Sequence, residues 1–537
     1  MDTSKNDIAK LYNFAELRQS GSIYVDKTSY LHQLVTWNGI KSFIVTRPRR
    51  FGKSLMISTL QHILEGHKEL FKGLYIAEKT DYDWKPVKVL HLDMSDIEVK
   101  GIEAFKKDFE GYVSGVLKDA GYEDYNPQYS PARNFGDALK ALTSKGHPIA
   151  VLIDEYDAPI GNALNNLTLA EAVRTELYGF YKKLKIHEKQ ICFLMLTGVA
   201  RFAQLSVFSG LNNLTDLNND DRFATMFGYT DAELVAYFGE HMKAQAEFMN
   251  LEYADYRKEI KRWFNGYCFN IGCETVYNPF SIASVLTTRR KSGLLHAWTQ
   301  GCRPTMLVTY LNKHPTALYE PFFSDTVAAS ETLLGNTSDL SALPPVAMLY
   351  QTGYLTICGE EPITGDYLLR IPDEEIRRDL YGLYVDMAAN QRDSAWREGT
   401  VRQLIYDNPS GFVKKMSSLY AKMHYGSSED DEKIYEGNYQ RVLQAILIAS
   451  NVPCNAEATQ SNRNRSDVIV ELPTIVYIFE LKAGKTDTAD TALQQIHDKG
   501  YAKPYLGTGR KIYLIGLAFD PDTHELKDSK IETLPQS

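Results

Sequence analysis

The stretch that decides the fold is Thr46-Arg47-Pro48-Arg49-Arg50-Phe51-Gly52-Lys53-Ser54-Leu55. An apolar run rich in β-formers, residues 42–45, precedes it and predicts a buried strand. After it, apolar residues recur at helical spacing as far as position 64. A strand, a tight loop and a helix in this order let backbone N–H groups and a helix N-terminus face a phosphate.

Six residues of this loop are predicted to contact a nucleotide. They are Arg49, Arg50, Gly52, Lys53, Ser54 and Leu55. Lys53 can reach the β- and γ-phosphates, and the Ser54 hydroxyl can bind Mg²⁺. The usual first glycine of such a loop falls at Arg47, although Pro48 still fixes a bend. The alternative is a chance Gly-Lys-Ser in a basic turn, but the flanking strand and helix favour a nucleotide site. The preceding forty residues are expected to pack against the base or ribose.

Composition sets limits on the class of protein. The 537 residues allow two to four domains with ordinary globular composition, and the net charge of −9 gives no global attraction to nucleic acid. No apolar run approaches the length of a membrane span, and the polar start is not a signal peptide. The six cysteines lack paired CxxC spacing, which argues against a cysteine zinc site. We expect a reduced, cytoplasmic chain without a membrane partner.

Two more strand-like runs end in residues suited to nucleotide chemistry. The aliphatic run at residues 149–153 ends in Asp154 and Glu155, as expected of a central parallel strand buried on both faces. Beside the phosphate loop, Asp154 can hold Mg²⁺ through water and Glu155 can polarise the attacking water. The run at residues 191–196 is followed by Thr197 and Arg201, candidates for sensing the γ-phosphate. The alternatives are an acidic turn and a plain surface turn. Strands alternating with helices indicate a doubly wound parallel sheet.

The middle of the chain is predicted to be helical. From about residue 231 it resembles a lid with aromatic turns, and residues 343–371 suggest a helix followed by a hairpin. Such a unit could be a winged helix that binds DNA. Its tip, however, carries Glu360, Glu361 and Asp366, which repel phosphate. We therefore favour a structural or regulatory wing.

A second group of chemical residues lies near the C-terminus, after a charged linker at residues 427–433. A helix with Glu436 on its inward face precedes two predicted antiparallel strands, which carry Asp467 before the first and Glu480 and Lys482 at the end of the second. The next helix supplies Gln495. Asp467, Glu480 and Glu436 could offer oxygens to Mg²⁺, and Lys482 could orient or deprotonate water and stabilise charge on a phosphodiester. The alternative is a hairpin with a surface salt bridge.

These motifs together resemble two known families. Residues from about 24 to 280 resemble the AAA-ATPase-like domain of many bacterial and archaeal proteins. The stretches that carry this resemblance are Tyr24-Val25-Asp26-Lys27-Thr28, the Arg47–Ser54 loop, Leu152-Ile153-Asp154-Glu155-Tyr156-Asp157, Thr197-Gly198-Val199-Ala200-Arg201-Phe202 and Trp263-Phe264-Asn265-Gly266-Tyr267. That family carries the Arg-Pro-Arg-Arg form of the loop, so the resemblance implies that Arg47 is its norm. The last 110 residues or so resemble the PD-(D/E)XK nuclease superfamily through Glu436, Asp467, Glu480-Leu481-Lys482 and Gln495.

The sequence thus predicts an α/β chain in three parts. These are a P-loop NTPase core with a doubly wound parallel sheet at 1–230, a helical middle with a winged-helix candidate at 231–425, and a restriction-endonuclease-like α/β domain at 426–537. We expect ATP and Mg²⁺ (or Mn²⁺) as cofactors, Ser54, Asp154, Asp467 and Glu480 as metal ligands, and nucleic acid, in the first place DNA, as partner. The leading hypothesis is a nucleotide-gated, metal-dependent nuclease. The alternative is an ATP-dependent switch or scaffold that binds without cutting, and a DNA-translocating motor is weaker. A homo-oligomer is left open.

Overall fold

The structure, a computed structural model, describes most of the chain. The described residues are 7–144, 146–200, 213–291, 293–294, 305–313, 325–335, 343–388, 395–421, 432–452, 454–455, 467–523 and 525–534. The chain divides into two compact units. The first comprises Met1–Lys313 and Thr326–Glu375, and the second comprises His314–Asp325 and Ile376–Ser537. The three-part division predicted from the sequence stays a prediction.

A five-stranded parallel sheet forms the centre of the first unit. Its strands are β1 (Ser42–Thr46), β2 (Lys88–Asp93), β3 (Ile149–Asp154), β4 (Ile191–Gly198) and β5 (Thr215–Asp216), in the order β2-β3-β4-β1-β5. Every residue of β1 and β3 is buried, which confirms the predicted parallel sheet covered on both faces. Because parallel strands end at one edge, the carboxyl ends of β1, β3 and β4 bring the loop, Asp154 and Thr197 together.

Helices surround this sheet and extend the first unit. They are α1 (Phe14–Gln19), α2 (Thr28–Val35), α3 (Lys53–Leu64), α4 (Tyr75–Glu78), α5 (Ile102–Asp119), α6 (Pro131–Thr143), α7 (Ala158–Ala163), α8 (Leu167–Ile186), α9 (Asp231–Phe248), α10 (Tyr253–Phe264), α11 (Pro279–Thr287), α12 (Thr305–Lys313), α13 (Glu331–Gly335) and α14 (Pro345–Gln351). Local sequence sets several of the boundaries. For example, Thr230 and Glu233 form a reciprocal capping box at the start of α9.

Two small antiparallel sheets complete the first unit. One pairs β6 (Asn265–Tyr267) with β7 (Val276–Tyr277). The other has the order β8-β10-β9, formed by β8 (Val327–Ala329), β9 (Thr356–Glu360) and β10 (Tyr367–Arg370). The helix and hairpin predicted near residues 343–371 are therefore present, as α14 followed by β9 and β10, and β8 adds a third strand.

The second unit is built on a mixed five-stranded sheet in the order β11-β12-β13-β14-β15. Its strands are β11 (Cys454–Asn455), β12 (Val468–Glu471), β13 (Ile475–Lys482), β14 (Lys511–Phe519) and β15 (Leu526–Leu534), and only β13 and β14 run parallel. The helices are α15 (Glu374–Ala388, from residue 376 on in this unit), α16 (Ala395–Ile405), α17 (Pro409–Tyr420), α18 (Glu432–Ala449) and α19 (Ala489–Lys499). The predicted antiparallel hairpin is present as β12 and β13.

In the described part of the chain, no helix combines the length and the apolar character that crossing a bilayer requires.

Candidate functional site

The phosphate loop joins β1 to α3 through two residues in the left-handed region. Gly52, at φ 90°, caps α3, and Arg50 adopts φ 68°. A side chain at position 52 would be strained by this backbone angle, which explains the glycine. Lys53 is the first residue of α3 and is buried. The loop therefore places a lysine and the positive end of a twelve-residue helix at the same point.

The Lys53 ammonium faces the end of β3. Its Nζ lies 3.2 Å from Glu155 Oε1 and donates to the carbonyl oxygens of Arg47 and Pro48 at 3.1 and 3.4 Å. Glu155 itself has φ 50°, a left-handed angle that is uncommon for a non-glycine residue and that is concentrated at functional sites. The Lys53 ammonium and the carboxylate of Glu155, a residue with a strained backbone angle, thus meet at the edge of the sheet.

Asp154 lies beside this pair in a shell of hydroxyl donors. Its carboxylate accepts hydrogen bonds from the hydroxyls of Thr197 and Ser54, and from the backbone N–H of Glu155 at 3.0 Å. Burial raises the pKa of Asp154, and the two hydroxyls and Lys53 lower it only in part. A buried carboxylate next to a serine hydroxyl has the oxygen donors that Mg²⁺ prefers.

The other predicted nucleotide residues lie around this centre. Arg49 is exposed, and the Arg50 guanidinium stacks over the Phe280 ring at 3.8 Å. Leu55 lines an apolar cleft of about 120 Å³ next to the loop, together with Tyr24, Lys27, Tyr229 and Phe280. Arg201 lies outside the described residues. The structure therefore brings Gly52, Lys53, Ser54, Asp154, Glu155 and Thr197 together, with Arg50 and Leu55 at the cleft.

Arg47 is turned into the protein. Its side chain is 3% exposed, donates to Asn218 Oδ1 at 2.6 Å and to the Thr46 carbonyl at 2.9 Å, and lies 4.2 Å over the Phe269 ring. Asn218 also accepts from the Thr46 backbone N–H at 3.0 Å. Where such a loop usually has a glycine, this loop thus has a buried arginine whose contacts stabilise it from the protein interior. Nothing in the local sequence predicts that Arg47 pairs with Asn218.

A second residue that the sequence analysis left out of the site is Asp157. Its carboxylate accepts from the backbone N–H groups of Val199 and Ala200, at 3.1 and 2.7 Å. Burial, with Glu155 nearby, raises the pKa of Asp157 to about 6. Asp157 therefore fixes the segment that follows Thr197. In the sequence, its position three residues after Asp154 is the feature that could have indicated this role.

The C-terminal group is assembled at the end of β13 in the second unit. Glu480 is 1% exposed, and its Oε1 accepts from Gln495 Nε2 and lies 3.2 Å from Lys482 Nζ. Asp467 Oδ2 accepts from the backbone N–H of Leu481 at 2.7 Å. Four predicted residues, Asp467, Glu480, Lys482 and Gln495, thus lie together. The side chain of Glu436, in α18, lies outside the described residues.

The second oxygen of Glu480 has an unusual environment. Glu480 Oε2 is buried and has no hydrogen-bond partner among the described residues. Burial and the neighbouring Asp467 raise the pKa of Glu480 to about 8, although Lys482 opposes the shift. A buried carboxylate oxygen without a donor is costly unless a cation binds it. Tyr501, which hydrogen-bonds Gln495, is a further residue near the site that the sequence analysis did not include.

Comparisons with known proteins match the two parts of the chain that contain these residues. Residues 10–208 match the model of a family described as "Predicted AAA-ATPase", and residues 434–529 match the PD-(D/E)XK nuclease superfamily. A protein of Azotobacter chroococcum mcd 1, described as "Uncharacterized protein in vnfD 5'region", is 30% identical over 533 residues, which cover 98% of each chain. The fold and these matches define a P-loop ATPase-like protein with a nuclease-like domain. The chain belongs to the same family as this relative, and it has a predicted AAA-ATPase domain and a C-terminal PD-(D/E)XK nuclease superfamily domain.

Proposed function

We propose that the first unit binds and hydrolyses ATP with Mg²⁺, and that the nucleotide state gates a metal-dependent nuclease in the second unit that cleaves DNA. The family supports nucleotide binding and a nuclease-type fold. The observation that carries the nuclease half is the buried Glu480 oxygen, which has no hydrogen-bond donor among the described residues and lies next to Asp467 and Lys482.

In the nucleotide site, the proposed roles follow from where the described side chains lie around the loop, and Arg201 keeps the role proposed from the sequence. Lys53 neutralises the β- and γ-phosphates, and the exposed Arg49 adds positive charge at the mouth of the loop. Ser54 and Asp154 supply oxygens for Mg²⁺, and Glu155 orients the attacking water. Thr197 and Arg201 are proposed to sense the γ-phosphate. The apolar cleft beside Leu55 and Tyr24 is suited to a base, because its aromatic and aliphatic walls offer stacking surface.

In the nuclease site, the donor set suits a hard divalent cation. Asp467 and Glu480, with Glu436 as a further candidate, would hold Mg²⁺ or Mn²⁺, and the unpartnered Glu480 Oε2 is an oxygen that such an ion would use. When bound, the ion supplies Lewis-acid stabilisation of the phosphodiester oxygens and lowers the pKa of water.

The side chains of the protein perform the remaining tasks. Lys482 Nζ, held beside Glu480 at 3.2 Å, faces the charge that develops on the phosphate and orients the attacking water through its N–H groups. Gln495 fixes the Glu480 carboxylate by donating to Oε1. The water oxygen forms a bond to phosphorus and gives up a proton, one phosphoester P–O bond breaks, and the departing oxygen takes up a proton, so that one water is consumed for each bond cleaved.

A plasmid assay tests this function directly. Purified protein incubated with supercoiled DNA and Mg²⁺ or Mn²⁺, with and without ATP, should nick or linearise the plasmid. Glu480→Ala and Lys482→Ala should each reduce the rate by at least about 100-fold, because each removes a group that stabilises the transition state. Lys485→Ala is the matched control, since this lysine is exposed and pairs with Asp522. Lys53→Ala should remove the effect of ATP.

Two results would count against the proposal. Cleavage that is unchanged in Glu480→Ala and Lys482→Ala would place the activity elsewhere. DNA binding without metal-dependent strand breakage in any nucleotide state would favour an ATP-dependent switch or scaffold.

A further inference from the structure

A sharp turn after α3 gathers three potential metal ligands. Gly66, at φ 80°, reverses the chain, and the backbone N–H groups of Gly66 and His67 donate to the carbonyls of Ile63 and His62 at 3.1 and 3.0 Å. This is the hydrogen-bond pattern of a glycine C-cap. It folds His67 back over the last turn of the helix, so that His62, Glu65 and His67 converge.

The spacing of the three ligand atoms is close to that of a tetrahedral metal site. His62 Nδ1 and His67 Nδ1 are 2.8 Å apart, and Glu65 Oε2 lies 3.8 and 3.6 Å from them. Zn–N distances of ~2.0–2.1 Å in a tetrahedron imply ligand–ligand edges of about 3.3 Å. Each observed edge differs from that value by about 0.5 Å or less, which small rotations of the side chains can accommodate.

Neighbouring groups hold the ligands in place. Gln61 Nε2 donates to Glu65 Oε1 at 2.9 Å, which directs the other carboxylate oxygen toward the two rings. The His62 ring lies against the ring of Phe14, with the centroids 6.1 Å apart. The His67 side chain is 44% exposed, so an ion and its water ligands can reach the site from solvent. Such outer-shell support is typical of metal-binding histidines and carboxylates.

We propose that His62, Glu65 and His67 bind a divalent transition metal ion, with Zn²⁺ as the best match. Two imidazole nitrogens and one carboxylate oxygen are donors that Zn²⁺ accepts and that Mg²⁺ does not favour. Water completes the coordination. The site lies at the C-terminal end of α3, whose first residue is Lys53. Bound metal therefore stabilises the end of the helix that supports the phosphate loop, and it does so independently of the nuclease site.

Metal competition with a chromophoric chelator measures this binding. The full-length protein is titrated with Zn²⁺ in excess Mg²⁺, which occupies the oxygen-rich sites, and Co²⁺ uptake is followed by its visible spectrum. Wild type and Glu480→Ala should bind one ion at the site equally well. His67→Ala and Glu65→Gln should weaken binding by more than about 100-fold, because changes outside the first coordination shell alone cost 10–100-fold. Gln61→Ala should weaken it by about tenfold.

The controls separate a metal site from a hydrogen-bonded histidine pair. His147→Ala removes an exposed histidine outside the cluster and should bind like wild type. Circular dichroism should show that His67→Ala remains folded, as expected for a half-exposed side chain. If wild type takes up no Zn²⁺ under these conditions, or if His67→Ala and Glu65→Gln bind as tightly as wild type, the proposal is wrong.

Discussion

At the scale of single residues, Arg47 shows how an unusual residue can replace a glycine without serving the ligand. Its guanidinium is buried against Phe269 and donates to Asn218 and the Thr46 carbonyl. These contacts tie the start of the loop to the segment after β5. The arginine therefore contributes to the stability of the loop from inside the unit.

Replacing Arg47 should destabilise the first unit. Arg47→Gly, which restores the commoner loop sequence, should lower the free energy of unfolding by about 2–4 kcal/mol, since it removes hydrogen bonds of a charged donor and leaves a cavity. Arg49→Ala is the control, because that arginine is exposed and its removal should change the stability by less than about 0.5 kcal/mol. Urea denaturation measures both. Equal effects of the two variants would contradict the structural role of Arg47.

Glu480 gives a prediction for the pH dependence of stability without metal. Its pKa is raised from the ordinary value of 4.5 to about 8 in the fold, so the folded state favours the protonated carboxyl group. The stability that this preference contributes is complete below pH 4.5 and is lost as the pH rises from 4.5 to about 8. Relative to Glu480→Gln, wild type should lose up to about 1.4 kcal/mol per pH unit over that range. Denaturation at several pH values in EDTA measures this difference. The exposed Glu525→Gln should show none of it, and a flat difference for Glu480→Gln would refute the shift.

At the scale of elements, the approach of α19 to the second sheet determines the geometry of the nuclease site. Thr488 and Thr491 form a capping box at the start of this helix. Gly516, opposite Glu480 in β14, lets the helix pack closely, since a Cβ there would overlap the Ala489 carbonyl oxygen. That approach brings Gln495 to Glu480.

Gly516→Ala should therefore push α19 away from β14. We expect a loss of about 1–3 kcal/mol in stability from overpacking, and weaker metal binding because Gln495 no longer holds Glu480. Gly437→Ala is the matched control. Among the described residues its Cβ would meet no atom within 4 Å, and alanine in a helix should be neutral or stabilising by up to about 1 kcal/mol. Calorimetry with and without Mn²⁺ compares the stability and the metal binding of the two variants. A Gly516→Ala variant with the stability and metal binding of wild type would contradict the proposed close packing of α19 on β14.

The elements also show what the sequence could reveal. Buried aliphatic runs predicted β1, β3, β4 and β13 closely. The roles assigned to Lys53, Asp154 and Glu480 at or after the ends of these strands stay predictions. Strand β5 was missed because it has only two residues, too few for a pattern. The support of Arg47 by Asn218 depends on a partner 171 residues further along the chain, which local periodicity cannot indicate.

At the scale of the whole molecule, each unit contains its own hydrophobic core. One cluster includes Ile23, Phe238 and Tyr256, and the other includes Val476, Ile496 and Leu514. Among the described residues, each unit also contains one group of candidate site residues. Binding at one site should therefore stabilise its own unit most strongly.

Calorimetry of the full chain should resolve this. ATP with Mg²⁺ at 100 times its Kd should stabilise the first unit by about 2.7 kcal/mol and shift its transition more than that of the second. Gly516→Ala should lower the unfolding temperature of the second unit, and this change identifies which calorimetric transition belongs to which unit. Lys53→Ala should lose the shift, and Glu480→Ala should keep it. A shift that persists in Lys53→Ala would mean that ATP binds elsewhere.

The contacts of Lys53 imply an exchange of partners on nucleotide binding. Among the described residues, the ammonium has three acceptors: Glu155 and two loop carbonyls. An arriving triphosphate competes for the same charge, and once it takes the lysine, Glu155 loses its counter-ion and becomes available to water. We therefore expect a nucleotide bound at the loop to release Glu155 from Lys53. The carboxylate that orients the attacking water is then available only when a phosphate is present to be hydrolysed.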